Sequence, residues 1–224
     1  MTAFDYRLFT SAADNRAMRL SAVIAFAAFA APATAAPLVV EVRTPAGAPV
    51  PNAVVSLYPA GRPVPVAAPR GPLRIAQRNT RFDPFVLVVP LGAEVAFPNY
   101  DAFRHHVYSF SPVRRFELKL YAKEQSRTVR FDKPGAVPLG CNIHDGMTAF
   151  VKVSDTALAV ATDARGQATF ANVPAGAVVA RIWHPYLRAP ANQLEARWSV
   201  PNAGRAAHSV TVSLRPPPPT SSSY

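Results

Sequence analysis

One cysteine, Cys141, stands among 224 residues, so the chain forms no internal disulfide and no thiol pair serves as a redox couple. Helical periodicity is missing as well. With 24 prolines and apolar residues that alternate in short stretches, the composition excludes a helical protein and points to an all-β one. Acidic residues are scarce, 13 against 24 Lys and Arg, which leaves a formal charge of +11. No basic run is interleaved with aromatics in the way that stacks bases, so nucleic acid is not the expected partner, and the charge reads as a solvated surface or one that steers acidic partners. No Ser-His-Asp set, paired acids or second metal cluster stands out, and an enzyme is the reading least supported. Runs of 18 or more apolar residues, the usual length of a membrane span, are absent too.

The longest apolar stretch is Leu20–Ala31, LSAVIAFAAFAA, behind Arg16 and Arg19. Its length of about 12 residues suits the apolar core of an export signal and is too short to cross a bilayer. Pro32 ends it, and Ala33-Thr34-Ala35 supplies the small residues that a signal peptidase reads. Residues 1–35 are therefore expected to be a signal peptide, cleaved after Ala35, that delivers the protein to the periplasm. Translation starting at Met18 would make the signal compact and residues 1–17 an over-extension. No cysteine follows the cleavage point for lipidation, and nothing later is apolar enough to span a membrane, so no membrane anchor is expected in the mature protein. Cleavage removes three arginines and two aspartates, so +11 becomes +10.

The mature chain divides into four parts. Residues 36–72 hold a strand, a Pro-Ala-Gly-Ala-Pro turn and a second strand, read as one hairpin over Leu38–Tyr58, followed by a Pro-rich linker from residue 59. Residues 73–154 form a compact run of strands. Residues 155–215 are again β, with turns at Thr162–Gly166 and Val173–Gly176 and strands at Ala168–Phe170 and Val178–Trp183. Residues 216–224, rich in Pro and Ser, carry the composition of a disordered tail.

A lone thiol in an oxidising compartment invites mispairing unless it is buried or bound to metal, so Cys141 needs a role. It opens Cys141-Asn142-Ile143-His144-Asp145-Gly146-Met147, in which one of five histidines and the one methionine after Met18 follow at regular spacing. Singly, these residues have plain explanations: an inert buried thiol, a core thioether, a surface histidine. Jointly the spacing would arise by chance with odds on the order of 10⁻⁴. Thiolate, imidazole and thioether suit copper, with two His and one Cys in a trigonal plane and a weak axial Met. A second imidazole must come from elsewhere, and His105-His106 supplies it. Only one of two adjacent strand residues can face inward.

These residues belong to a stretch, 73–154, that resembles the cupredoxin family of plastocyanin- and amicyanin-like blue-copper proteins. The resemblance runs through Arg81-Phe82-Asp83-Pro84, through Val86–Phe97 with its Leu91-Gly92 turn, through Asn99-Tyr100-Asp101 ahead of His105, and through Phe131–Gly135 ahead of the loop. It implies a Greek-key β-sandwich holding one copper per chain through His105, Cys141, His144 and Met147, with His106 as the alternative first ligand. His106 stands where the family usually has Asn, and Asn142-Ile143 where many members have Pro before the second His. The short Cys-x₂-His-x₂-Met spacing is similar to the amicyanin type, which associates with methylamine oxidation. The flanking segments Gly47–Val55 and Thr162–Gly176 resemble a transthyretin-like or carboxypeptidase-regulatory-like sandwich, in or beside which the cupredoxin-like part would sit.

The resulting expectation is a periplasmic carrier of single electrons whose partner is an acidic redox protein, a cytochrome or dehydrogenase. A copper-delivery protein and a partner-binding β module are the alternatives. Arg104, Arg114 and Arg115, which flank the first ligand segment, are candidate docking residues. Trp183 is expected in a core, with His184 at a strand end.

Overall fold

The computed structural model describes residues 35–60, 64, 72–144 and 146–218. The expected signal peptide lies outside the described residues apart from Ala35. So do most of the Pro-rich stretch, Asp145, and residues 219–224 of the expected tail. All described residues fall in one compact unit. Among them no helix is long and apolar enough to cross a membrane.

The chain opens with β1 (Ala35–Arg43) and β2 (Val54–Pro59). It continues through β3 (Ala76–Arg78), β4 (Arg81–Asp83), β5 (Val86–Pro90), β6 (Ala93–Pro98) and β7 (His105–Phe110). Next come β8 (Arg115–Tyr121), β9 (Ser126–Phe131), β10 (Gly135–Gly140) and β11 (Thr148–Ser154). The last strands are β12 (Ala159–Ala161), β13 (Gln167–Pro174), β14 (Gly176–Trp183), β15 (Gln193–Val200) and β16 (Ala206–Thr211).

The two ends of the chain build the first sandwich. One sheet has the order β13-β1-β16 and the other β12-β2-β14-β15. In β1 the alternation of Leu38, Val40 and Val42 with Val39, Glu41 and Arg43 puts one face inward, against Leu57, Ala168, Phe170 and Ile182. The single hairpin expected over Leu38–Tyr58 does not form, because β1 and β2 enter different sheets. The reason lies in their burial. A hairpin would place both strands in one sheet, whereas β2 is buried over four consecutive residues, Val54–Leu57, and so needs cover on both faces. The connection crosses the edge of the core and is pinned from outside. Thr162 Oγ1 accepts the Ala53 N–H at 2.9 Å and donates to the Val50 carbonyl at 2.7 Å.

The second sandwich is built from the middle of the chain. Its large sheet runs β5-β11-β10-β7-β8, and β6 and β9 pair opposite it. The segment before β3 extends that smaller layer through bridges Arg74↔Ala96 and Gln77↔Asn99. Val95, Phe97, Val129 and Phe131 from the small layer meet Val107, Val137, Leu139 and Val151 from the large one in a single core. The chain switches layers at β6 to β7 and again from β8 through β9 to β10, which is Greek-key connectivity. The fold is all-β, a cupredoxin-like Greek-key sandwich inserted in a second β-sandwich.

A third cluster joins the two. Val54 and Trp183 of the outer sandwich bury against Val86, with Phe85 and Phe150 packed around them. Phe150 meets Trp183 edge-on at 5.9 Å between ring centroids.

Candidate metal centre

β10 and β11 form a hairpin whose last pair is Gly140↔Thr148, so residues 141–147 are a loop closed at its base. Cys141 is the first residue of that loop and Met147 the last. Each sits directly on a strand end and is buried in the inner core. Between them the loop turns tightly, with the Met147 N–H donating to the His144 carbonyl at 3.3 Å and Gly146 at φ 77°, a value that favours glycine. The residue before the thiol is glycine for a steric reason: a Cβ on Gly140 would lie 2.7 Å from the Tyr108 ring.

His105 enters from the start of β7 and is fully buried. Its Nδ1 lies 3.8 Å from Cys141 Sγ, and its ring centroid is 5.1 Å from that of His144. The donor atoms of His105, Cys141 and His144 all fall within 4.8 Å of one another. His144 is half-buried beside the exposed Phe103 ring at 5.9 Å, and its Nδ1 is buried with no hydrogen-bond partner among the described residues.

Asp101, which sequence reasoning did not single out, holds His105 from behind. Its Oδ2 lies 2.8 Å from His105 Nε2. The carboxylate is itself cradled, accepting the Asn79 N–H at 2.6 Å and the Thr80 N–H at 3.0 Å. Both of those residues are left-handed, at φ 53° and 56°. The Asp101 N–H in turn donates to Asn99 Oδ1 at 2.9 Å. Burial pushes the Asp101 carboxyl up, but the hydrogen bonds from Thr80, His105 and Asn79 and the attraction of His105 outweigh it, and its pKa ends below the ordinary value. An ionised Asp101 accepts a hydrogen bond from His105 Nε2–H, which leaves the Nδ1 lone pair facing the thiol. Beneath His105, burial pushes the Tyr121 phenol up to about 12, against the lowering influence of Gln77 and Arg127.

His106 points elsewhere. Its Nε2 lies 2.9 Å from Glu117 Oε1, and its ring lies against Tyr108 at 5.6 Å. A bulge between His105 and Val107 in the pairing of β7 with β8 lets both histidines be buried while facing different ways. Arg104, Arg114 and Arg115 do not share one face. Arg104 is exposed next to His105, whereas Arg114 and Arg115 follow the far end of β7, roughly 20 Å away at strand rise. Exposed apolar side chains next to the cluster in the chain are Phe103 and Ile143, and Tyr100, also exposed, lies under the Arg78 guanidinium at 5.0 Å. His184 is structural: it is buried, its Nδ1 accepts the Tyr186 N–H at 3.2 Å, and burial lowers its pKa to about 4.

The arrangement fits a metal. Two imidazoles and a thiol bring one donor atom each within 4.8 Å of one another, and His144 Nδ1 is buried with no hydrogen-bond partner among the described residues. One Cys and two His would also suit zinc. The buried thioether of Met147 lies on the same loop, and a thioether is a donor that copper accepts more readily than zinc does.

No protein-family model matches the sequence, and no curated protein does. Solved structures similar to it include a copper-containing nitrite reductase from Thermus scotoductus SA-01, at 26% identity and TM-score 0.37 over 42% of this chain. The chain spans only 25% of that reductase. A purple cupredoxin from Nitrosopumilus maritimus is 19% identical at TM-score 0.35, covering 37% of this chain and 99% of that one. A reduced Cu(I) form of an amicyanin variant is 22% identical at TM-score 0.36, covering 45% of this chain and 98% of that one.

Proposed function

We propose that the protein is an exported, periplasmic, non-enzymatic electron carrier that holds one copper through His105, Cys141, His144 and Met147. The observation that carries this reading is the convergence of three donor atoms within 4.8 Å, one of them oriented by a buried carboxylate. Bound there, copper supplies a one-electron Cu(II)/Cu(I) couple. The chain's own residues supply the rest. Cys141 and Met147 are fixed by the two strands of a closed hairpin, and His105 by Asp101, so the donors stay in place when the charge changes. Phe103 and Ile143 surround His144 with apolar surface from which a docked partner displaces water.

The short Cys-x₂-His-x₂-Met loop is the ground for proposing a link to methylamine oxidation. The charge of +10 left after signal removal supports an acidic cytochrome or dehydrogenase as partner. With such a protein the bimolecular rate is expected to fall steeply as salt passes about 0.1 M, where charges are screened within about 10 Å. A rate that ignores salt removes the steering.

The test of the whole reading is Cu(II) titration of the purified mature chain. One equivalent should produce an intense visible absorption, a reversible one-electron couple, and a higher melting temperature. Copper at about 1,000 times its Kd stabilises the folded state by roughly 4 kcal/mol. Metal uptake without a reversible couple would favour copper delivery, which the partial exposure of His144 would serve. Absence of uptake would favour a partner-binding module.

A further inference from the structure

A cleft of about 810 Å³ opens beside Met147. This is within the range of small-molecule sites, which form preferentially where two packed units meet. Both sandwiches build it. The inner one contributes the β3–β4 turn and the loop residues Gly146–Thr148, and the outer one contributes Tyr186, Pro217 and Pro218.

The lining is divided by chemistry. Phe85 and Tyr186 form an aromatic wall, with centroids 6.2 Å apart and planes inclined by 33°. Phe82 and the thioether of Met147, both almost fully buried, supply an apolar floor. Arg78 and Arg81 are exposed at the rim, and among the described residues neither is salt-bridged to a carboxylate. Asp83 lies on the same rim, so the three charges leave one net positive.

We propose that this cleft binds an aromatic or heteroaromatic monocarboxylate, its ring against Phe85 and Tyr186 and its carboxylate on the arginines. Guanidinium groups recognise carboxylates through paired N–H donors, and a single excess positive charge matches a monoanion better than a phosphate dianion. Asp83 repels a second anionic group and accepts from any hydroxyl that the ring carries. A ring bound here lies against Met147, one of the residues proposed to hold copper. The cleft stands independently of the copper reading, because Met147 is the one proposed copper ligand among its described lining residues.

The metal-free protein with its ε-methyl-¹³C-labelled methionines provides the test, using 2-naphthoate as probe. Met147 is the one methionine after Met18, so its methyl resonance is readily assigned. The expected result is saturable binding by calorimetry, together with a ring-current shift of the Met147 methyl that saturates at the same concentration. The Arg78→Ala/Arg81→Ala double variant, both positions exposed and harmless to folding, should bind at least about 10-fold more weakly. The neutral 2-naphthalenemethanol should bind similarly weakly, and inorganic phosphate should not compete. No saturation at millimolar probe, an unmoved Met147 methyl, or equal affinity in the double variant would each overturn the proposal. Copper failing to bind would leave all of these readouts intact.

Discussion

The two sandwiches share an architecture and differ in what they bury. The outer core is almost wholly aliphatic, built from residues such as Leu38, Val40, Leu57 and Ile182. Its buried polar groups, Thr162 and His184 among them, bond to nearby backbone and hold turns. The inner core buries Cys141, Met147, His105, Gln77, Asn99 and Asp101 near one end. Buried polar groups cost free energy unless each is partnered, so a domain that keeps four of them, His105, Gln77, Asn99 and Asp101, close to a buried thiol and thioether keeps them for something other than cohesion. Packing is the outer sandwich's business and chemistry the inner one's.

The sharpest way to break that division is to exchange insults. Cys141→Ser should abolish the intense visible absorption of the Cu(II)-loaded protein. Leu57→Ala should cost about 2–5 kcal/mol of stability and leave the spectrum unchanged. A spectrum altered by Leu57→Ala would mean that the two cores are not separable in function. Trp183→Ala tests the seam between them: it should cost about 3–5 kcal/mol and split one melting transition into two in calorimetry. A single shifted transition would show that the seam is not what couples the sandwiches.

Next in size is a pH effect belonging to the outer sandwich. His184 has a folded pKa of about 4 against 6.5 when unfolded, so the unfolded chain binds its proton more readily. Its contribution is fully present above pH 6.5 and is lost as pH falls toward 4, by as much as about 3 kcal/mol. Denaturant unfolding across that window should show the slope, and His184→Gln should flatten it. Asp101 acts lower, since its folded pKa is depressed: its contribution is present above its ordinary pKa and fades as acid protonates it.

Asp101→Asn should weaken copper binding about 10- to 100-fold, because an amide does not fix which nitrogen of His105 carries the proton. Asp101→Glu should recover part of the loss, and a chelator competition assay reads both. Smallest of all is His106→Ala, expected to leave metal affinity nearly unchanged where His105→Ala destroys the site. The reverse ranking would make His106 the ligand despite its bond to Glu117.

Period-two alternation made the strands readable, and the Cys141-x₂-His144-x₂-Met147 spacing put three donors on one short loop before any coordinates were known. What stayed hidden depended on distant segments. Asp101 precedes His105 by four residues, a visible hint, but its orientation rests on Asn79 and Thr80 adopting left-handed turns three strands earlier. The parting of β1 from β2 was hidden for a similar reason. Alternation reports which face is buried and is silent on which sheet receives the strand, and continuous burial of Val54–Leu57 becomes meaningful only when a second sandwich supplies the cover. Arg104 and Arg115 seemed neighbours because a strand is short in sequence and long in space.

Ala159 pairs with Ser56 where β12 runs beside β2, so the chain leaves and re-enters the outer sandwich at adjacent rungs of one ladder. The inner sandwich is a plug-in module, wired through two contacts set side by side. While it stays folded, its ends arrive already together. Once it melts, those rungs must close a floppy loop of roughly 100 residues, an entropic penalty of about 4 kcal/mol. Anything that melts the inner sandwich therefore also loosens the outer one, through the tether alone.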